Sequence, residues 1–501
     1  MKPRFIAAGV VLLAIALNPV LAQESSDPDL RLFFEAASQD KDVANAALRQ
    51  IGDNWKDGYA IMLIEWLRFL SQGQAITRGG QIAASGQGNV GLDTERDIYA
   101  NLGPLEGRNR FGNRQNPRVQ ARERLVGNLE KFTGQNFGND LDAWRDWSRS
   151  LPYDPHAQLG AFKANFYAQI DPAFRNFFRG TATVRLDAID WGGVKVSGIP
   201  ALDHPATVTA DKAAYLSDSD VVFGFFRNGE ARAYPKRILA WHELAWDKVG
   251  GEEITLVYCT LCGTVIPYSS EVGGRVIKFD TSGLLYQSNK LLFDDLTFTL
   301  WSSLTGEPVV GLMAGSGTRL TSMPIVTTTW GEWRTLHPET TVLSIPTDHE
   351  RDYDEGAAYA EYFSGDDLMF SVSERDSRLN NKDEILAIRF PRRDGGDEAL
   401  AISADFLAHN RLFQTDFSGR QLLVLTSPDG ANRVYAAPGV TFVARVGERQ
   451  VRDSEGGIWV VDEDAIVPID NPGGALPRLT AFRAFWFGWY AQYPDTRLIT
   501  N

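Results

Sequence analysis

Apolar positions in the first third of the 501-residue chain recur at the three- and four-residue spacing of amphipathic helices. One set of such positions lies between Leu30 and Leu70, and another begins near Leu125, stops at Thr133 and restarts after Asp140. We therefore expect short antiparallel helices. Residues 72–116 are rich in Gly, Asn, Gln and Arg and have no sustained period, which predicts a long surface loop.

After residue 180 the pattern changes to short β-type runs separated by Gly-rich turns such as Gly250-Gly251. The predicted strands are Val221–Phe226, Ile254–Tyr258, Val276–Phe279, Ala387–Phe390, Leu422–Leu425 and Val440–Val446. A helix is predicted over Pro235–Val249, where Leu239, His242, Trp246 and Val249 fall on one face. The fold class that follows is α+β.

An internal duplication appears when the chain is aligned with itself. Trp330, Trp333, Pro338, Glu339 and Thr340 have the spacing of Trp486, Trp489, Pro494, Asp495 and Thr496. His242 corresponds to His409, Cys259 to Thr426, and Asp295 and Trp301 to Asp453 and Trp459. In the second copy Thr426 and Asp429 replace the cysteines, so we expect that copy to have lost the chemistry.

The predicted organisation has four parts. It comprises a signal peptide over residues 1–22, a helical region over 23–178, a first α+β half over 180–365 and a second, degenerate half over 366–501. Lys2 and Arg4, an apolar run from Ile6 to Leu17 and a small-residue site at Ala22 are typical of an export signal. We therefore expect a periplasmic or secreted protein without a transmembrane anchor.

The charge balance narrows the range of partners. Fifty basic residues against 64 acidic ones give a net charge of -14, which argues against nucleic acid and anionic membranes. The sequence does not identify a partner. A protein partner, if there is one, is expected to bind the helical N-terminal region.

The chemistry is expected at Tyr258-Cys-Thr-Leu-Cys-Gly-Thr264, which contains both cysteines of the chain. It lies between two β-type runs, whereas thioredoxin-like sites place the second cysteine in a helix. A C-x-x-C-Gly turn between strands is typical of a metal knuckle, because glycine permits a sharp turn that aims N–H groups at the sulfurs. Haem attachment is not expected, because Gly263 stands where the ligating His would be. No nucleotide-binding loop is present.

His242 is the predicted third ligand, and His204 or Glu243 is a possible fourth. A Cys2His site suits catalytic zinc or trigonal copper, and soft thiolates favour copper over zinc. The leading hypothesis is an exported metal-binding protein, whether catalytic or a carrier of the ion.

Two alternatives stay open at this point. One is a thiol-disulfide oxidoreductase in which Cys259 attacks and Cys262 resolves. The other is an interaction scaffold in which the cysteines are structural and His242 is a hydrogen-bonded core residue. Whether the protein is an enzyme is thus undecided by the sequence.

From about Gly198 to Phe363 the chain resembles an uncharacterised family of bacterial and archaeal proteins classed as a domain of unknown function. The resemblance rests on Tyr234-Pro235, Trp241-His242-Glu243, the cysteine motif, Ser282-Gly283, Trp301-Ser302, Trp330 with Trp333, His337-Pro338 and Arg351-Asp352-Tyr353. Thr260 stands where the family has Pro. The resemblance implies that the following residues share one signature surface: His242, Cys259, Cys262, Ser282, Asp295, Trp301 and Arg351. With Glu243, the last four of these are the candidates for lining a pocket.

Overall fold

The computed structural model describes residues 27–70, 117–345, 347–392 and 395–501. The predicted signal peptide 1–22 and the predicted loop 72–116 lie outside the described residues. The helices of the described part are α1 Leu30–Glu35, α2 Lys41–Asp53, α3 Ala60–Leu70, α4 Pro117–Thr133, α5 Leu141–Ser150, α6 Leu159–Tyr167, α7 Lys236–His242, α8 Trp330–Leu336, α9 Ala360–Phe363, α10 Ala404–His409 and α11 Trp486–Tyr490. Among the residues described, no helix has the length and apolar character that a membrane span requires.

The strands alternate with these helices after residue 180. Those of the first half are β1 Thr181–Ala182, β2 Ile189–Trp191, β3 Leu202–Asp203, β4 Thr207–Thr209, β5 Val221–Arg227, β6 Glu230–Pro235, β7 Leu244–Val249, β8 Glu252–Cys259, β9 Thr264–Ser269, β10 Glu271–Val272, β11 Arg275–Val276, β12 Phe279–Tyr286, β13 Asn289–Asp294, β14 Leu300–Ser302, β15 Pro308–Gly311, β16 Val326–Thr329 and β17 Thr341–Leu343. Those of the second half are β18 Glu384–Pro391, β19 Asp397–Ser403, β20 Leu412–Phe417, β21 Arg420–Thr426, β22 Asn432–Ala436, β23 Phe442–Gly447, β24 Gln450–Asp453, β25 Ile458–Val461, β26 Ala465–Pro468, β27 Leu476–Leu479, β28 Phe482–Phe485 and β29 Arg497–Ile499.

The predicted α+β class, with helices at the N-terminus, is confirmed. The N-terminal helices pack around a hydrophobic core. Asp40 and Asp140 cap α2 and α5, because each carboxylate accepts backbone N–H groups of the first turn. Helix α4 ends at Thr133, as the sequence predicts. The same core continues into the sheet β1-β15-β14-β13-β12-β2 through Trp191, Leu291 and Phe293, which joins the helical region to the body.

The two halves contain sheets of the same strand order and direction. In the first half the order is β16-β5-β6-β17, extended by β4, and in the second half it is β28-β18-β19-β29. In each sheet the two central strands pair antiparallel, and the third and fourth strands pair parallel. The meander β7-β8-β9 likewise corresponds to β20-β21-β22.

Equivalent tryptophans make equivalent hydrogen bonds in the two halves. Trp333 Nε1 donates to Thr340 Oγ1 at 2.9 Å, and Trp489 Nε1 donates to Thr496 Oγ1 at 2.9 Å. The aspartate that accepts from Trp459 Nε1 is Asp453, at 2.7 Å. Its counterpart in the first half is Asp294, which accepts from Trp301 Nε1 at 2.9 Å. The sequence alignment had paired Asp453 with Asp295, so that pairing was wrong by one residue.

The helix predicted over Pro235–Val249 is wrong in its second half. Helix α7 ends at His242 and residues 244–249 form β7, which pairs antiparallel with β8 from Leu244 to Val249. Gly250 and Gly251 join the two strands with φ of 57° and 81°, the conformation of a tight hairpin turn. Pairing with β8 therefore decides the structure of a segment whose local pattern also fits a helix.

The two halves pack together through one shared core, which contains Tyr258 and Trp301 from the first half and Trp486 and Trp489 from the second. Each half also contacts the start of the other half's tryptophan helix. Phe485 N–H, before α11, donates to the carbonyl of Cys262 at 2.8 Å. Thr329 Oγ1, before α8, donates to Asp429 at 2.8 Å. The second half thus covers the back of the cysteine turn of the first.

Candidate functional site

The cysteine motif forms a tight turn between two paired strands, as the sequence predicts. Cys259 ends β8 and pairs with Thr264 at the start of β9, and Cys262 N–H donates to the Cys259 carbonyl at 3.1 Å. Gly263 has φ 63°, and a side chain there would approach the ring of Phe485 to 3.2 Å. Glycine is therefore required both for the turn and for the close packing of the second half.

The two thiols are unequal. Both are free, Cys262 is fully buried, and Cys259 is 2% exposed through a cavity that it lines. Cys262 Sγ lies 3.2 Å from the carbonyl oxygen of Ser288, in the two-residue turn between β12 and β13. Cys259 thus lines the cavity, whereas Cys262 does not.

Their acidities diverge accordingly. A hydrogen bond from the Cys262 thiol and the N–H groups of Lys290, Cys262 and Leu261 lower the pKa of Cys259, although burial opposes them. Burial and the adjacent Cys259 sulfur raise the pKa of Cys262. This difference in pKa favours Cys259 as the thiolate of the pair and Cys262 as the protonated thiol.

The cavity beside Cys259 has a volume of about 120 Å³ and a mainly apolar wall. The larger apolar groups of the wall are Ile199, Pro200, Trp241, Leu261, Leu284, Leu285, Met369 and Phe370. Besides Cys259, its polar side chains are Glu243, Thr260, Thr281, Lys290, Arg351 and Tyr359. A space of this size accepts a few water molecules or one small group, and that group would lie against the Cys259 sulfur.

Glu243 and Lys290 form a buried ion pair in the cavity wall. Thr260 Oγ1 and Tyr359 OH also donate to Glu243 Oε1, at 3.1 and 3.0 Å. Burial lowers the pKa of Lys290 well below its ordinary value. Glu243 therefore accepts hydrogen bonds from three side chains, those of Lys290, Thr260 and Tyr359.

Glu243 adopts the left-handed conformation that ends α7, with φ 59°. A non-glycine residue is strained there by about 1–3 kcal/mol and needs support from its surroundings. Its N–H donates to the Leu239 carbonyl at 2.7 Å and its carbonyl accepts from Tyr258 N–H at 2.8 Å. These bonds hold the carboxylate at the cavity.

His242 is buried, but both of its ring nitrogens are bound by other protein groups. Nδ1 lies 2.8 Å from the Pro200 carbonyl oxygen, which only accepts, so this nitrogen carries the proton. Nε2 lies 2.6 Å from Tyr353 OH and accepts from it in the neutral ring. Burial lowers the pKa of His242 to about 4. Metal ligation by this ring would require one of these bonds to break.

The cavity contains some of the predicted residues and not others. Glu243 and Arg351 line it, whereas Ser282, Asp295 and Trp301 do not. Ser282 Oγ donates to the Leu291 carbonyl at 2.6 Å within an irregular part of β12. Trp301 is in the shared core and Asp295 is exposed.

The other candidate ligand, His204, is bound elsewhere. Its ring contacts Asp203 and Glu253 at 2.6 and 3.1 Å. Throughout the ranges described above, no group of three His, Cys, Asp or Glu side chains is placed to hold a metal ion.

The sequence reasoning missed Lys290 and Tyr359. Lys290 had a detectable signal, because it is a lysine at the start of the apolar run Leu291-Leu292-Phe293, directly after a turn. A charge in such a strand needs a buried partner. Tyr359 carried no comparable signal, since it lies in a loop of irregular sequence.

A family model described as "Protein of unknown function (DUF3179)" matches residues 196–496. This match extends beyond the resemblance seen in the sequence, which ended near Phe363, and includes the second half. No curated protein and no solved structure matches the chain.

Proposed function

The chain belongs to the DUF3179 family, and we propose that its first half carries a thiol-disulfide exchange site. In this proposal Cys259 is the attacking thiolate and Cys262 is the resolving thiol. The observation that carries it is the inequality of the pair: Cys259, whose pKa is lowered, lines the cavity, whereas Cys262, whose pKa is raised, is fully buried within hydrogen-bond reach of it. Exchange needs a reachable thiolate and a second thiol that attacks only after a mixed disulfide has formed.

The proposed reaction has two steps. Cys259 thiolate attacks one sulfur of a disulfide, so that a mixed disulfide forms and the other half leaves as a thiolate. Cys262 then attacks Cys259 Sγ, the second half leaves, and a Cys259–Cys262 disulfide remains. The protein loses two electrons, which the substrate gains. The proton of Cys262 and one from solvent neutralise the two product thiolates.

Thiol counting with variants tests this proposal. Pre-reduced protein mixed with hydroxyethyl disulfide should lose both alkylatable thiols, and Cys259→Ser should lose none. Cys262→Ser should stop at a mixed disulfide on position 259. Two thiols that remain alkylatable in the wild type after prolonged exposure would contradict the proposal and favour structural cysteines.

Copper binding is a second candidate, supported by Met369, whose side chain lines the same cavity as Cys259. Two thiolates with a nearby thioether are soft ligands that suit Cu(I) better than zinc. His242 is not needed for such a set. Elemental analysis of the purified protein should then find about one copper ion per chain, which Cys259→Ser and Met369→Leu reduce. Full thiol exchange by metal-free protein would favour the first candidate.

We also propose that the protein acts after export, as the N-terminal pattern predicts. An oxidising compartment supplies disulfides, which are rare in the cytosol. Determination of the N-terminus of protein isolated from the periplasm should give a start near Gln23. Full-length protein retained in the cytosol would contradict this placement.

A further inference from the structure

The approach to Cys259 is narrow. The sulfur is reached through the cavity of about 120 Å³, and the residue is only 2% exposed. Pockets that enclose drug-sized ligands have volumes of about 300–1,000 Å³, so this one holds a smaller group. A disulfide in a folded protein has backbone on both sides and is bulkier than a group that fills about 120 Å³. A small disulfide can enter with one end first.

Of the two cationic side chains in the cavity wall, one forms an ion pair with a carboxylate and the other does not. Lys290 is bound to Glu243, and Glu243 also accepts from Thr260 and Tyr359. Arg351 also lines the cavity, and its guanidinium donates to the carbonyl of Glu350 at 2.8 Å. Within the described ranges no carboxylate pairs with Arg351. The cationic side chain left to meet a ligand in this wall is therefore Arg351.

In the loop that contains Arg351, the acidic side chains and the arginine lie in different surroundings. Residues 348–354 include four acidic side chains, all of which are exposed, and among these seven positions Arg351 is the one that lines the cavity. The arginine faces an apolar wall, and the acids face solvent. Arginine binds carboxylates with two parallel N–H bonds, which gives orientation as well as affinity.

We propose that the substrates are low-molecular-weight disulfides bearing a carboxylate, which Arg351 binds while Cys259 attacks the sulfur. This inference rests on the proposed thiol-disulfide exchange and adds its substrate class. The apolar wall surrounds the methylene groups of such a molecule, and the carboxylate end remains at Arg351. The electron and proton balance is that of the two steps given above.

Two disulfides of similar length form a matched pair of probes. Dithiodipropionate carries a carboxylate at each end, and hydroxyethyl disulfide is neutral. Single-turnover rates are measured with pre-reduced protein, by quenching with an alkylating agent and counting the remaining thiols by mass spectrometry. Wild-type protein should react about 10-fold or more faster with dithiodipropionate, and Arg351→Gln should remove this preference by slowing dithiodipropionate far more than hydroxyethyl disulfide. Arg334→Gln, at a surface ion pair with Asp218, is the control that should change neither rate.

Each outcome separates the substrate assignment from the proposed function. Exchange with both probes at equal rates, or an equal effect of Arg351→Gln on both, overturns the role of Arg351 while exchange itself stands. Reduction of insulin at the rate of dithiodipropionate overturns the restriction to small disulfides. Absence of exchange with every probe overturns the proposed function, and the substrate class with it.

Discussion

At the scale of single residues, one proton distinguishes the two sulfurs. The Cys262 thiol has a single hydrogen, which is directed either to the Ser288 carbonyl oxygen or to the Cys259 sulfur. When Cys259 is a thiolate, the bond to sulfur is favoured because hydrogen bonds to charged groups are stronger. The buried cysteine thus activates the one at the cavity before it acts as a nucleophile itself.

Cys262→Ala should therefore raise the pKa of Cys259. The bond from Cys262 is the largest cause of the lowered value, and a hydrogen bond to a charged group contributes about 1.5–3 kcal/mol. We expect a shift of about one unit or more in the pH dependence of iodoacetamide alkylation. Cys262→Ser, which keeps a hydroxyl donor, is the control and should shift less. Identical alkylation profiles in the wild type and the alanine variant would refute this role.

His242 should make stability depend on pH. Its pKa is lowered from 6.5 to about 4, so between these values the unfolded chain binds more protons than the native one. Stability should therefore be complete above pH 6.5 and should fall toward pH 4, by roughly 3 kcal/mol in total. Urea unfolding of wild type and His242→Gln at several pH values measures the difference, because the variant lacks this titration. Parallel pH curves for the two proteins would show that His242 does not contribute.

At the scale of elements, α11 from the second half is fitted to the cysteine turn. A Cβ atom on Gly488 would lie 2.9 Å from Cys262 Cβ and 3.1 Å from its Sγ. At the equivalent position of α8 stands Glu332, whose carboxylate binds Ser427 and Arg433 near the degenerate turn. Glycine at position 488 therefore leaves room for Cys262, whereas the second half, which lacks cysteines, accommodates a glutamate at the equivalent position.

Gly488→Ala should destabilise the protein by about 1–3 kcal/mol, because the new methyl group overpacks a rigid turn. It should also alter the resolving step, since Cys262 must move. Gly127→Ala in α4 is a matched control, because nothing lies within 4 Å of its added Cβ and alanine favours helix. Denaturation midpoints that change by the same amount in both variants would contradict the close fit of Gly488.

The sequence predicted those elements whose signal is local. The helix that begins after Asp140 and the turn Cys259–Gly263 follow from capping and turn chemistry alone. The strand Leu244–Val249 did not, because its pairing with β8 outweighs its helical spacing. The site predicted from the sequence was incomplete for the same reason. Lys290 and Tyr359 contact Glu243 from distant segments of the chain, and only the fold brings these residues together.

At the scale of the whole molecule, the two halves depend on each other. The shared core contains tryptophans of both, and a buried charge cluster joins them as well. Asp397 of the second half lies 2.6 Å from Arg319 of the first and 3.1 Å from Arg389 of its own half. Burial raises the pKa of Asp397, but the two arginines lower it more, so the pKa lies below its ordinary value. The family model covers residues 196–496 and therefore includes both halves.

We expect the two halves to unfold in a single calorimetric transition. Asp397→Asn should lower its midpoint, because it leaves Arg389 buried without its charge partner, at a cost of about 3 kcal/mol. Arg334→Gln, at an exposed pair with Asp218, should change the midpoint little. Two separate transitions in the wild type, only one of them sensitive to Asp397→Asn, would show independent halves.

The most direct test of the central claim is to trap the intermediate. Reduced Cys262→Ser protein is mixed with hydroxyethyl disulfide, digested without reductant and mapped by mass spectrometry. The account predicts a stable mixed disulfide on Cys259, and in the wild type a Cys259–Cys262 disulfide without an adduct. An unmodified Cys259 in the variant, or an adduct that forms on Cys262 in Cys259→Ser at the same rate, would contradict the assignment of Cys259 as the attacking thiolate.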